Sequence, residues 1–276
     1  MHIVWAFLLT LLAGTVGAET VHPGGFPTPI SATAEVITDT YNIIFWIITA
    51  VFVVVMVPIT VALFRFRRSQ KKDAAQFSHN TVIEVVWTAI PALICVYIAY
   101  ISFNATAFVR TMPAEGLTVE VVGYQFGWDF YYPDFSEGDV NLASPMPPEP
   151  HPTLSLPDAP RYVPQLVVPV GVPIKVHVTG QDVIHSFYAG NLGIKIDTIP
   201  GRINYGWFTV DKPGEYIGQC TELCGAAHGE MFFTVKGIPM NEFTRFINNQ
   251  REMNGLDKLQ PKAFQEALAS AQDKNV

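Results

Sequence analysis

The chain has 276 residues, of which 49% are hydrophobic and only 15% are charged, and its mean hydropathy is positive. This composition excludes an ordinary soluble globular protein and predicts membrane-spanning segments. The formal net charge of −7 gives no reason to expect nucleic acid as a partner.

The first apolar segment, residues 3–16, is about fourteen residues long, which is too short to span a bilayer. Small residues follow it where signal peptidase requires them. Residues 1–18 are therefore predicted to be a signal peptide, although the lack of Lys and Arg before the apolar segment leaves an uncleaved anchor open. Residues 19–40 are rich in Pro, Gly and Thr and predict an irregular extracytoplasmic segment.

Two longer apolar runs predict a transmembrane hairpin. Residues 41–64 contain no charged side chain and are long enough to cross a hydrocarbon core of about 30 Å. Residues 65–81 begin with five Arg and Lys in eight positions and predict a cytoplasmic loop by the positive-inside rule. Residues 82–104 return across the membrane, and Pro58 and Pro91 are expected to bend the two helices.

Glu84 lies at the predicted cytoplasmic start of the second helix. A carboxylate is stabilised near a helix N-terminus by the helix dipole, which would be reason enough for its presence. Ionisable groups at the membrane edge also feed proton relays, so proton entry is the functional alternative. The residues alone leave the two interpretations equally weighted.

Short alternating runs separated by Gly and Pro fill residues 115–240 and predict a Greek-key β-sandwich. Residues 133–164 contain nine prolines and predict a long surface excursion with His151 exposed in it, while the alternation around His177 points that side chain to solvent. Residues 241–276 have helical apolar spacing and predict a helical tail. The predicted strands are 117–122, 124–132, 165–168, 174–179, 205–210, 215–218 and 231–236.

The predicted sandwich domain contains fourteen acidic and six basic residues, a formal charge of −8. An acidic surface favours a basic partner and accelerates their encounter at low salt, although it also serves solubility.

Four soft or imidazole donors crowd into twelve positions between residues 220 and 231. Thiolate, imidazole and thioether ligands together favour copper over hard ions and over zinc. Adding His185 from the preceding β-rich run makes a set with one sulfur too many for a single blue copper, which suits two coppers bridged by two thiolates. A structural disulfide and a zinc site remain open, and Cys95 lies unpaired in an apolar helix. The loop donors are Cys220, Cys224, His228 and Met231.

The run from Gly218 to Gly225, followed by His228 and Met231, resembles the binuclear CuA loop of cytochrome c oxidase subunit II. The resemblance implies that Cys220 and Cys224 bridge two coppers and that His185 and His228 each bind one. It further implies Met231 and the backbone carbonyl of Glu222 as axial ligands. The Glu222 side chain would bind a magnesium ion shared with subunit I.

Two further segments carry the resemblance. The pattern from His79 through Glu84 to Trp87-Thr88 is similar to the same place in the family and implies that Glu84 lies at the mouth of a proton path into subunit I. The string from Asp197 to Arg202 is similar to the family's turn beside the haem propionates of subunit I.

The chain departs from the family where electrons from cytochrome c are thought to enter. Phe126 occupies the position of the usual entry tryptophan, and Tyr131 replaces a common acidic docking residue. If this run is one strand, Trp128 is the neighbour of Phe126 on the same face. We therefore expect Trp128 to be a candidate entry residue, or else an ordinary core aromatic.

The sequence is identified as a member of this family, with a two-helix transmembrane hairpin followed by a cupredoxin-like Greek-key β-sandwich. The resemblance implies an electron-entry subunit of a proton-translocating terminal oxidase that reduces O2 to water, with haem in subunit I only, subunit III as a further partner and cytochrome c or another donor. It implies a multi-pass protein in lipid of a bacterial or mitochondrial-type inner membrane, with the copper domain periplasmic. Alternatives are a related nitric oxide reductase or a membrane-anchored copper-delivery cupredoxin, whereas a quinol oxidase subunit would lack the copper ligands.

Overall fold

The computed structural model describes residues 25–66, 79–155, 159–260, 262 and 264–266. The predicted signal peptide and most of the predicted cytoplasmic loop lie outside the described residues.

Two long apolar helices form the N-terminal part, α1 (Ala32–Arg65) and α2 (Thr81–Arg110), and they pack against each other. Both are long and apolar enough to cross a membrane, and their most apolar windows are not buried inside the protein. Such unburied apolar surface is what a bilayer would cover. Each helix is longer than the span predicted for it and contains its proline, Pro58 or Pro91, within the helix.

Nine strands in the described part of the chain form two packed sheets, which confirms the predicted sandwich. One sheet has the order β2-β1-β4-β7 and the other β3-β9-β8-β5-β6. Non-consecutive neighbours such as the parallel pairs β1 with β4 and β3 with β9 produce the Greek-key crossings. The strands are β1 (Leu117–Tyr124), β2 (Gly127–Tyr131), β3 (Gln165–Pro169), β4 (Ile174–Gly180), β5 (His185–Ala189), β6 (Ile194–Thr198), β7 (Asn204–Phe208), β8 (Gly214–Cys220) and β9 (Phe232–Ile238).

The structure corrects the predicted strands in two places. The run 124–132 is not one strand, because β1 ends at Tyr124 and β2 starts at Gly127, with Gln125 and Phe126 forming the turn between them. Phe126 and Trp128 are therefore not alternate residues of one strand. Strands β5 and β6 were not predicted, and they place His185 as the first residue of a central strand.

The C-terminal tail begins as helix α3 (Met240–Met253), whose residues Phe243 and Ile247 are fully buried in the sandwich core. Near its end, Arg251 is almost completely buried and donates to the carbonyl oxygens of Phe135 at 2.6 Å and Asp257 at 2.7 Å. The tail is thereby fastened to the start of the proline-rich excursion.

Two histidines that the sequence predicts to be exposed to solvent are only partly exposed in the structure. His151 is half-buried instead of exposed, and its ring Nδ1 atom accepts hydrogen bonds from the backbone N–H groups of Thr153 and Leu154. His177 is also half-buried, with its ring 4.8 Å from that of Tyr205 on β7. The His177 side chain lies on the outer face of its sheet and faces away from the sandwich core.

The hairpin is attached to the sandwich at one end of both helices. Ser31 caps α1 and donates to the carbonyl oxygen of Leu192 at 2.8 Å. The ring of Phe108 on α2 meets that of Trp207 on β7 at 5.6 Å. The β-domain therefore lies directly over the ends of the helices.

Candidate metal centre

The loop between β8 and β9 carries the clustered donors, and the sheet brings a further donor to it. Strands β8 and β9 pair antiparallel up to Gln219 and Phe232, so the loop from Cys220 to Met231 leaves and rejoins the same edge of the sandwich. Strand β5 lies beside β8, with Phe187 opposite Cys220. The two strands run antiparallel, so His185, two residues before Phe187 and on the same face, lies beyond Cys220 toward the loop.

All six predicted donor residues converge at this end of the sandwich. The Cys220 Sγ and Cys224 Sγ atoms are 3.9 Å apart, and both cysteines are free. The donor atoms of His185, Cys220 and Cys224 all lie within 4.8 Å of one another. Three other contacts complete the set: Cys224 Sγ to His228 Nδ1 at 3.6 Å, Cys224 Sγ to Met231 Sδ at 3.9 Å, and Cys220 Sγ to the Glu222 carbonyl oxygen at 3.2 Å.

His185 is oriented for metal binding by a carboxylate. Its Nε2 atom lies 2.8 Å from Asp182 Oδ1, while its buried Nδ1 atom has no hydrogen-bond partner within the described part of the chain. A hydrogen bond at one ring nitrogen leaves the other available as a ligand. The free nitrogen beside two buried thiols, with a thioether at hand, fits a copper ion by both position and chemistry.

Hydrogen bonds and burial shift the pKa of the Asp182 carboxyl in opposite directions. Burial by itself raises its pKa, but hydrogen bonds from the His185 ring and from the backbone N–H groups of Gln125 and Val183, with the charge of His185, lower the pKa to about 2. Asp182 is therefore ionised at neutral pH and holds the imidazole in place.

The Cys224 thiol is protonated in the metal-free protein. Burial, together with the neighbouring Cys220, raises the pKa of the Cys224 thiol to about 11. A metal must displace this proton because the thiolate is the ligand, so loading releases protons.

The aromatic residues near the centre occupy different surroundings. Trp128 is buried, with 2% of its surface exposed, and its indole N–H points to the Met231 carbonyl oxygen at 3.4 Å. Its ring also packs against those of Phe187 and Phe233 in the core. Phe126 is 40% exposed in the turn above the metal loop. Phe126 thus lies between solvent and the loop, whereas Trp128 lies behind the ligands.

Glu84, also singled out in the sequence, lies far from the donors, at the end of α2 opposite the sandwich. Glu84 is at the start of α2, where it accepts from the backbone N–H of Asn80 at 3.2 Å and helps to cap the helix. The side chains of Glu222 and Arg202 are exposed.

Two residues of the site were missed in the sequence. Asp182 precedes His185 by three positions, and that spacing was a usable signal. Gln125 has no such signal, because its side chain donates to the carbonyl oxygen of Cys224, 99 positions later in the chain.

Two family models match most of the chain. Residues 117–238 match the periplasmic domain of cytochrome c oxidase subunit II, and residues 20–105 match its transmembrane domain.

Individual proteins agree with the family models. A probable cytochrome c oxidase subunit 2 of Rickettsia felis is 36% identical over 243 residues, covering 83% of this chain and 73% of the relative. Cytochrome c oxidase subunit 2 of Cereibacter sphaeroides is 34% identical over 246 residues, covering 83% and 81%. The crystal structure of the periplasmic domain of subunit II of cytochrome oxidase from Bradyrhizobium japonicum shares 36% identity, covers 52% of this chain and 99% of that one, and has a TM-score of 0.46. The chain belongs to the cytochrome c oxidase subunit II family, as a membrane-anchored subunit of an oxidoreductase complex.

Proposed function

We propose that this subunit receives electrons at a binuclear copper centre and passes them to haem in a partner subunit. The convergence of two buried thiols with two imidazoles, a thioether and a carbonyl oxygen is the observation that carries the proposal. Cys220 and Cys224 would bridge the metals, with His185 and His228 binding one each. Met231 and the Glu222 carbonyl would be the weak axial ligands.

When bound, two coppers sharing two thiolates spread one electron over both metals, so little rearrangement accompanies electron transfer. The chain holds the donor side chains rigidly and shields them from water. His185 and Met231 are 1% exposed or less, Cys220 and Cys224 are 5% exposed, and the donors stand on strands of one sheet and the loop that joins two of them. Such a site excludes water and holds its ligands in a fixed geometry.

We assign the exposed residues next to the loop to contacts with partner subunits. Glu222 is exposed, as it must be if its carboxylate binds a magnesium ion shared with subunit I. Arg202 is exposed in the turn after β6 and offers a cation to the propionates of a haem held by that subunit. Subunit III is expected to complete the assembly.

Glu84 is proposed to admit protons from the cytoplasmic side. Its carboxylate lies at the opposite end of α2 from the sandwich, near the expected membrane surface. Its hydrogen bond from Asn80 also supports a capping role. Glu84→Gln separates the two roles, because the amide keeps an acceptor oxygen but cannot carry a proton.

The proposed electron donor is a basic cytochrome c. Fourteen acidic residues against six basic ones in residues 115–240 give the domain a field that attracts such a partner. In the family, electrons enter at the position of Phe126; here the exposed Phe126 and the buried Trp128 are the two aromatic residues proposed to lie on the route.

Purifying the complex from native membranes tests this function. The expected preparation contains copper and haem, consumes O2 with reduced cytochrome c, and shows stopped-flow reduction of copper that slows as salt rises. A haem-free copper protein would contradict the oxidase assignment and favour a copper-delivery role. Reduction by cytochrome c that is indifferent to salt would contradict the proposed docking by charge.

A further inference from the structure

Three loops meet at the metal end of the sandwich, and only two of them supply copper ligands. The loop before β5 leads into His185, and the β8–β9 loop carries the cysteines. The third is the tight β1–β2 turn formed by Gln125 and Phe126. This turn donates no ligand, yet it contacts both of the others.

The first contact runs from the turn to the imidazole ligand. The backbone N–H of Gln125 donates to Asp182 Oδ2 at 2.7 Å, while the other oxygen of the same carboxylate lies 2.8 Å from His185 Nε2. The Val183 N–H also donates to Asp182 Oδ1 at 2.7 Å. The carboxylate therefore fixes the turn and the ligand relative to each other.

The second contact runs from the turn to a thiol ligand. The side-chain amide of Gln125 donates to the backbone carbonyl oxygen of Cys224 at 2.5 Å. The metal loop approaches closely here because residue 225 is glycine with φ of +136°. A Cβ atom at Gly225 would lie 2.9 Å from Gln125 Nε2 and 3.1 Å from the Phe126 ring, so a larger residue would push the turn away.

We propose that Gln125 is a positioning residue of the copper centre, which ties the cysteine loop to the His185 loop through the β1–β2 turn. The hydrogen-bonded path runs from His185 through Asp182 and Gln125 to Cys224, and so joins two ligands that lie 39 positions apart in the chain. It would hold the Cys224 backbone, and with it the thiol that is proposed to bind copper. The same turn carries Phe126, so the surface that a donor would touch moves with the ligand loop.

This inference rests on the proposed binuclear copper function and makes a specific demand on the Gln125 side chain. The amide must donate, because its partner is a carbonyl oxygen that can only accept. Glu has nearly the same shape as Gln but, when ionised, only accepts. A space-filling role would be preserved in Gln125→Glu, whereas a donor role would be lost as fully as in Gln125→Ala.

The test uses the complete oxidase purified with wild-type, Gln125→Ala, Gln125→Glu or Gln181→Ala subunit II. Gln181 is an exposed glutamine in the loop before β5 and serves as the matched control. The readouts are copper content, the electron-spin hyperfine pattern, and the rate of copper loss to an excess of chelator. Loss of an outer hydrogen bond to a metal ligand commonly weakens metal binding about 10- to 100-fold.

We expect both Gln125 variants to lose copper at least about tenfold faster than wild type and to show altered hyperfine splitting, with Gln181→Ala unchanged. Wild-type behaviour of Gln125→Glu would overturn the donor role, and wild-type behaviour of Gln125→Ala would overturn the proposal as a whole. A wild-type complex without a two-copper signal would overturn the proposed function, and the positioning role with it.

Discussion

At the scale of single residues, Asp182 connects the fold to the chemistry of the site. It has three hydrogen-bond partners, two of them backbone N–H groups and one the ring of His185, a proposed ligand. Its carboxylate therefore stabilises the metal-free loop and sets the orientation of His185 at the same time.

The lowered pKa of Asp182 predicts a pH dependence of stability for the copper-free domain. Its pKa falls from 3.8 to about 2 on folding, so the ionised group stabilises the fold above pH 4, and this contribution is lost as pH falls from 4 to about 2. Asp182→Asn should lower the urea midpoint at pH 6, and the difference from wild type should shrink by pH 3. A difference that stays constant with pH would show that the charge is irrelevant.

The position of Trp128 leads to a kinetic prediction. Its indole lies between the core aromatics and the backbone of Met231, within 6.1 Å of the His185 ring centroid. Trp128→Phe keeps most of the volume but removes the indole N–H and the larger ring, so reduction of copper by cytochrome c should slow severalfold with copper content preserved. Stopped-flow kinetics provide the measurement.

Trp207 supplies the control, because it is also nearly buried but packs against Phe108 at the membrane end of the sandwich. Equal effects of Trp128→Phe and Trp207→Phe would remove Trp128 from the electron route. The route would then pass through the turn that carries Phe126.

At the scale of elements, the C-terminal helix is a structural part of the copper domain. Arg251 is 3% exposed and reaches two backbone carbonyl oxygens and Glu137 Oε2, the last at 2.6 Å. Helix α3 therefore holds the beginning of the proline-rich excursion against the core, and the sandwich is completed by a segment outside the matched family domain.

Arg251→Leu should destabilise the domain by about 2 kcal/mol, because two carbonyl oxygens lose their donor in a buried setting. The copper spectrum should not change, since none of these contacts involves a ligand. Urea unfolding measures the first effect and absorption the second. Glu137→Gln is the matched control and should cost less than about 1 kcal/mol, since the Glu137 side chain is 66% exposed; an equal loss in both variants would contradict the assignment to the carbonyl contacts.

Two variants at the start of α2 separate the proposed proton-entry role of Glu84 from its capping role. Glu84→Gln keeps an oxygen that can accept from Asn80 but cannot carry a proton, whereas Glu84→Ala removes both functions. We expect both variants to slow steady-state turnover, assayed without a proton gradient, and to leave the copper spectrum unchanged. Normal turnover of Glu84→Gln would leave Glu84 with its capping role alone.

The sequence predicts the strands whose residues alternate in polarity and the helices whose apolar runs are long. It does not predict elements that lack both patterns. In β5, His185, Ser186 and Phe187 are all fully buried, so both faces of the strand are covered and alternation cannot reveal it. Strand β6 does alternate from Ile194 to Asp197, but the run is short and leads directly into the turn motif that begins at Asp197. The β1–β2 turn leaves no signal in the sequence because Gln125 and Phe126 are not usual turn residues.

The donor set of the site was predictable because four of its side-chain donors lie in one short loop, and family resemblance supplied their roles. The supporting contacts were not predictable in the same way. Gln125 and Cys224 meet only after the two sheets have packed, and hydrogen bonds between distant loops leave no spacing pattern in a sequence.

At the scale of the whole molecule, membrane anchoring and metal binding lie in different parts of the chain. The apolar hairpin anchors it in the membrane, the acidic sandwich stands over one end of the helices, and the donor cluster lies at one end of the five-stranded sheet. In the proposed function, oxygen chemistry takes place in a partner subunit and this subunit provides the entry of electrons.

Copper stoichiometry combined with electron paramagnetic resonance, on the domain from residue 115 onward refolded with copper, tests this account most directly. The expected result is a purple protein with two coppers and a mixed-valence hyperfine pattern spread over both nuclei. Cys220→Ser and Cys224→Ser should each abolish it, while His177→Ala, on the outer face of the other sheet, should not change it. One copper per domain with a single-nucleus pattern would contradict the binuclear centre.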